Sequence, residues 1–111
     1  MPKLSRQEEH ILLAVWKLQD EAYAIPIRRY LQKVTREKIS IGGIYVPLDR
    51  LVRKGYLETY QSEPLPERGG MSRRYFRLTT SGSKALEDAR RIHEELWKGL
   101  PKMSVNNRST P

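Results

Sequence analysis

The stretch from Lys38 to Gly55, KISIGGIYVPLDRLVRKG, constrains the fold more than any other part of the chain. Its apolar residues Ile41, Ile44, Leu48, Leu51 and Val52 recur at three- and four-residue spacings, which puts them on one stripe of a helix. That stripe belongs to a core. At 100° per residue, Gly42, Gly43, Val46, Asp49, Arg50 and Arg53 fall on the opposite side, with Tyr45 on the flank between the two faces. Ser40 is placed to cap the first turn and Gly55 to close the last, so the helix is expected from Ile41 to Lys54. Two glycines in a first turn weaken a helix by roughly 0.5–1 kcal/mol each, a cost tolerated where a backbone must come close to something, as in a DNA major groove. Pro47 has no N–H for the carbonyl of Gly43 and its ring crowds that carbonyl, so a loosened first turn is expected.

A chain of 111 residues holds one domain with a small core. Lysine and arginine total 21 against 13 acidic residues, giving +8. Such a balance favours a polyanionic partner, with nucleic acid ahead of an anionic membrane surface. No apolar run approaches the roughly 18–20 residues of a membrane-spanning helix, and MPKLSRQEEH lacks the apolar stretch of a signal peptide. A cytoplasmic location is expected. With no cysteine, neither a disulfide framework nor a thiolate zinc site is available. Hydrophobic content of 38% is modest, so a buried subunit interface would add stability.

The remaining elements follow in order. Ser5 followed by Glu8 is a capping box that opens a first helix. In that helix Ile11, Leu12, Val15 and Trp16, with the off-stripe Leu13, Ala14 and Leu18, are apolar around more than one face, which calls for two partners, one of them a second subunit. After a polar break at residues 19–24, Pro26 marks the first turn of a second helix, with Ile27, Tyr30, Leu31 and Val34 as its apolar stripe. Past the central helix, Tyr56–Tyr60 and Arg73–Thr79 alternate as strands. Between them lie two prolines and a Gly-Gly pair, the mark of a hairpin with an extended tip and no third strand. Thr79 to Gly82 then cap a last helix, whose Ala85, Leu86, Ala89, Ile92, Leu96, Trp97 and Leu100 keep the three-four spacing. The expected fold is mostly α with a small β-hairpin wing. It comprises a winged helix-turn-helix over residues 1–79, a C-terminal dimerisation helix over 80–100, and a disordered tail over 101–111.

With the elements placed, a family resemblance becomes specific. Residues 4 to 98 resemble the PadR family of bacterial transcriptional regulators. It rests chiefly on two runs, S-x-G-x-I-Y-x-x-L-x-R-L-x-x-K-G from Ser40 to Gly55 and E-P-x-P-E-R-G-G-x-x-R-R-Y-F-x-L-T from Glu63 to Thr79. The chain departs from the family pattern at Ala24, where many relatives have glycine, and at Val46, which separates Tyr45 from Pro47. The resemblance implies an intracellular homodimer that binds an inverted repeat in double-stranded DNA, commonly as a repressor. It also implies a small aromatic or hydrophobic effector at the dimer interface.

Candidate DNA contacts are Lys38, Ser40, Gly42, Gly43, Tyr45, Val46 and Arg50 of the central helix, with Arg68, Gly69, Gly70, Arg73 and Arg74 of the wing. Each also has a plainer role. Ser40 is an N-cap whatever else it does, and helix N-termini favour anions. The Tyr45 ring is expected to be buried with only its hydroxyl free. Arg50 suits a guanine edge, a contact that discriminates by roughly 1–3 kcal/mol, or an ion pair with Asp49 or Glu37 worth under about 1 kcal/mol. The wing-tip residues fit either a solvated turn or a minor-groove and backbone contact. Leu12, Trp16, Ile92, Leu96 and Trp97 are candidates for the dimer interface or a flat effector. An enzyme is not expected: His10 and His93 are the only histidines, Trp97 stands where a second histidine of an H-E-x-x-H motif would be, and no phosphate loop or nucleophile elbow is legible. No cofactor or metal is expected. The rival reading is a basic winged-helix module that docks on another protein and does not read DNA.

Overall fold

The computed structural model describes residues 4–70 and 72–102. Three helices come first, α1 (Arg6–Leu18), α2 (Ala24–Thr35) and α3 (Ile41–Arg53). An antiparallel hairpin follows, β1 (Leu57–Gln61) and β2 (Arg74–Leu78), and then α4 (Thr80–Trp97). This is the expected mostly-α fold with one small wing.

Local chemistry explains where the helices begin. Three of the four start on a hydroxyl that accepts the third N–H of the helix: Ser5 from Glu8 at 3.1 Å, Ser40 from Gly43 at 2.9 Å, and Thr79 from Gly82 at 3.0 Å. Each removes one of the orphan donors of a first turn. The fourth, α2, has no side-chain cap, but Pro26 in its first turn has no N–H to satisfy. α3 stays helical through Pro47, and Gly55, at φ +81°, ends it. The proline ring is buried on the inward face beside Ile44, Leu48 and Leu51. Its packing offsets the hydrogen bond that the Gly43 carbonyl forgoes.

Ile11, Leu12 and Val15 of α1, Ile27 and Leu31 of α2, Ile44, Leu48 and Leu51 of α3, and Leu57 and Phe76 of the hairpin meet in one core. Across the hairpin, Leu57 faces Leu78, Glu58 faces Arg77 and Tyr60 faces Tyr75. Alternation turns Leu57 and Phe76 inward and sets Glu58, Tyr60, Tyr75 and Arg77 on the other face. The free edge of β2 is not bare: the Phe76 N–H donates to the Ala22 carbonyl at 2.8 Å, and Tyr23 forms an isolated bridge with Tyr75. The expected two-stranded sheet therefore carries a one-bridge extension from the turn after α1.

The structure corrects four expectations about burial. Leu12 is wholly inside the protomer, so it lines neither an interface nor an effector site. Ile41 and Val34, expected in the core, are exposed, because each lies at a helix end where the stripe runs past the neighbouring element. The Tyr45 ring, expected to be buried, is 41% exposed, since the flank it occupies has no helix against it.

α4 behaves as two halves. Gly82 sits against the backbone of Tyr56, and Ala85 and Leu86 pack on the core. Every residue from 91 to 100 is exposed. The projecting half gives a radius of gyration of 17.3 Å; a compact chain of about 100 residues would have about 13 Å. Of the expected tail, residues 103–111 lie outside the described residues. No helix among the described residues is long and apolar enough to cross a membrane.

Candidate nucleic-acid interface

The turn into α3 is held from α2. Gln32 Oε1 accepts the Ile39 N–H at 2.8 Å, and the Arg28 guanidinium donates to the Ile39 carbonyl. With both backbone groups of Ile39 fixed, Lys38 and Ser40 on either side stand exposed at the mouth of the helix. Neither clamp is legible in the sequence, because nothing in local spacing links position 28 or 32 to position 39.

On α3 itself Gly42, Tyr45, Val46 and Arg53 are exposed and Asp49 is half-buried. Gly42 lies three and four residues before Tyr45 and Val46, Asp49 lies four and three after them, and Arg53 follows Asp49 by four, so they make one outward stripe. Gly42 has open space where a Cβ would point. Gly43 does not: a Cβ there would lie 3.0 Å from the capping Ser40 Oγ. Of the two glycines, Gly42 is the open face and Gly43 belongs to the cap.

Arg50 lies beside this stripe and points elsewhere. Its Nε donates to Glu8 Oε2 at 3.1 Å, and Lys54 Nζ meets the same oxygen at 2.7 Å. The other oxygen of Glu8 accepts the Ser5 N–H at 2.9 Å, completing the capping box. Glu8 is 3% exposed. Burial alone would raise its carboxyl, but the Lys54 ammonium, the Ser5 amide and the Arg50 guanidinium outweigh that and hold it down at about 2. The expected partners of Arg50, Asp49 and Glu37, are replaced by a residue 42 positions away. Only the tertiary fold brings α1 and α3 together, so the sequence showed Glu8 as a cap and nothing more.

The wing arginines are also engaged. Arg74 Nη1 donates to Asp49 Oδ1 of α3 at 2.8 Å and lies over the Phe76 ring, which ties wing to helix. The Arg73 guanidinium lies over the Tyr23 ring, 4.1 Å from its centroid. Arg77 is over Tyr60, which stacks on Tyr75, which meets Tyr23 edge-on. Arg68 donates to Ser62 Oγ at 3.0 Å and to the Glu63 carbonyl at 2.9 Å, closing the tip. Gly69 and Gly70, at φ +68° and +79°, adopt left-handed backbone that glycine accepts without strain. Arg73 and Arg74, expected to be freely exposed, are half-buried, because strand alternation sends one onto the aromatic face and the other onto α3. Arg68, expected at the tip as a phosphate contact, shapes the tip from within.

Elsewhere, Leu13 and Trp16 of α1 and Ile92, Leu96 and Trp97 of α4 are apolar side chains left exposed. Trp16 is 59% exposed and Leu96 is 72% exposed. Between α1 and α4 opens a cleft of about 670 Å³ that includes His10, Leu13, Trp16, Leu86 and His93.

An outward helix stripe, a clamped turn before it and a hairpin tied to its side define a winged helix-turn-helix regulator. A model described as the transcriptional regulator PadR-like family matches residues 12–88. The chain belongs to that family and is a PadR-like transcriptional regulator. A PadR-like transcription factor from Bacteroides fragilis is 30% identical, with 81% of this chain and 82% of that one covered, at a TM-score of 0.67. RosR of H. salinarum is 25% identical over 88% of this chain and 81% of that one, also at 0.67. MepR of S. aureus, solved as a DNA complex, is 22% identical over 86% of this chain and 68% of that one, at 0.64. The last is a likeness of fold. No curated protein matches the chain.

Proposed function

We propose that this regulator binds double-stranded DNA sequence-specifically as a homodimer, one α3 in each of two major-groove half-sites of an inverted repeat. The observation that carries the reading is the outward stripe of Gly42, Tyr45, Val46 and Arg53, which begins at a capped helix terminus flanked by exposed Lys38. Gly42 lets the backbone approach the bases. Val46 offers an apolar contact suited to a thymine methyl, and Arg53 takes the guanine-reading role that the sequence suggested for Arg50. Ser40 and the first-turn amides of α3 suit a phosphate. Gly69, Gly70 and Arg73 of the wing lie against the backbone or minor groove, and Arg74 reaches it from its Asp49 anchor.

The exposed apolar face of α1 and α4 favours a homodimer, since Trp16, Ile92, Leu96 and Trp97 together would be costly to leave in water. Two-fold symmetry then sets the half-site centres about 34 Å apart. The cleft between α1 and α4 adjoins that face and suits a flat aromatic or hydrophobic effector. In the proposed cycle the dimer represses its own or a neighbouring operon until the effector binds.

A gel shift on the region upstream of its own coding sequence, at moderate salt and with a scrambled duplex of equal length, tests the central claim. Preferential retardation of the upstream duplex is expected. Equal affinity for both would remove sequence-specific reading, and no affinity for either would leave the protein-docking module as the better account.

A further inference from the structure

Glu8 brings Arg50 of α3 and Lys54, the residue just after that helix, onto one buried carboxylate oxygen, with Lys54 at 2.7 Å and Arg50 at 3.1 Å. We propose that Glu8 acts as an internal stand-in for a phosphate, masking Arg50 and Lys54 and so limiting the sequence-independent part of duplex binding. The inference rests on the DNA-binding reading above.

Two comparisons within the molecule carry it. The first is with Asp49, which pairs with Arg74 at 2.8 Å but whose side chain is 44% exposed. Such a pair is screened by solvent, and a DNA phosphate can replace the carboxylate without burying an unpaired charge. Glu8, with a side chain only 4% exposed, has no such freedom. Were both cations to turn to DNA, they would strand a charged carboxylate inside the fold. The second comparison is between the two oxygens of Glu8. One serves the cap of α1, and the other serves only the cations. The charge function is therefore separable from the capping function, because glutamine can fill the same place in a capping box.

A chain of +8 net charge gains sequence-blind affinity with every cation it presents to a duplex. Arg50 and Lys54 flank the outward stripe and keep 36% and 34% side-chain exposure, so their release would add positive charge beside the reading face. Specificity is served by withholding it.

The test compares wild type with Glu8→Gln on a mixed-sequence duplex over a series of salt concentrations, after circular dichroism shows both to be folded. Glu8→Gln is expected to bind more tightly, with the slope of log K against log salt steepened by about 0.9 for each freed cation that reaches a phosphate. Adding Lys54→Met to that variant is expected to return about 0.9 of slope per protomer if Lys54 is one of them. A purely structural role predicts the opposite sign, since loosening α3 weakens binding. An unchanged slope, or weaker binding by folded Glu8→Gln, overturns the proposal. Should Glu8→Gln not fold, Glu8→Met makes the same charge change with apolar packing and is judged on the same slope. Wild-type protein that binds no duplex would overturn the DNA reading itself, a result visible before any variant is compared.

Discussion

Gly82→Ala sets two effects of opposite sign against each other. Gly82 lies in the first turn of α4, where an alanine gains up to about 1 kcal/mol of helix propensity over glycine. A Cβ at this position would stand 2.1 Å from the Tyr56 carbonyl oxygen and 3.2 Å from Leu78 Cδ2. The carbonyl has little room to yield. It accepts the Thr79 N–H at 3.2 Å, the Tyr56 N–H is bonded to the Leu51 carbonyl at 3.0 Å, and Tyr56 is buried at the junction of α3 and β1. The first turn of α4 must lift by about 1 Å or more to restore ordinary contact. Overpacking of this kind costs about 1–3 kcal/mol, and the upper end applies because the obstacle is backbone. A net loss of about 2 kcal/mol is expected, equivalent to a melting temperature lower by roughly 8–16 °C for a domain of this size. Thermal unfolding followed by circular dichroism, at one fixed protein concentration, reads it. Gly42→Ala is the matched control, with open space around the new methyl and an expected effect from neutral to about 1 kcal/mol stabilising. A Gly82→Ala melting temperature equal to or above wild type would refute the packing argument.

Three further outcomes are expected. The Glu8 carboxyl is held at about 2 against an ordinary value of 4.5, so its contribution is complete above pH 4.5 and is lost as pH falls from there through about 2. That shift is worth roughly 3 kcal/mol, so acid unfolding should be steeper in wild type than in Glu8→Gln, and parallel curves between pH 5 and 2 would show that Glu8 is not the group responsible. Leu96→Asp should convert a micromolar dimer to a monomer in analytical ultracentrifugation, and a wild-type protein already monomeric at that concentration would remove the interface assigned to α4. Gly42→Glu should reduce operator binding at least tenfold by charge and steric conflict while leaving the melting temperature within a few degrees; wild-type affinity would mean that this stripe does not face DNA. Gly42 is the informative glycine of the pair, because a side chain on Gly43 would disturb the Ser40 cap.

The sequence determined the helix starts and the central stripe, because each depends on groups within four residues of one another, and it marked the wing through the alternation within each strand and the turn residues between them. Ser5 with Glu8, Ser40 with Gly43 and Thr79 with Gly82 are local hydrogen bonds, and local spacing announces them. Amphipathic periodicity likewise marked Ile44, Leu48 and Leu51 as inward before any neighbour was known. Periodicity does not say where a neighbour ends, and so Val34 and Ile41 continued a stripe that the packed elements do not cover. Nor does it separate a protomer's core from a surface left for a partner, which is why Leu12 and Trp16, four residues apart, were grouped and then fell on opposite sides of that line. Charge was the least legible property. An arginine can turn its long side chain to any carboxylate within reach, and the carboxylates of Arg50 and Arg74 are 42 and 25 positions away along the chain. Only the docking of α1 on α3, and of the wing on α3, decided which cations are held by a carboxylate of the protein and which, like Arg53, are left exposed.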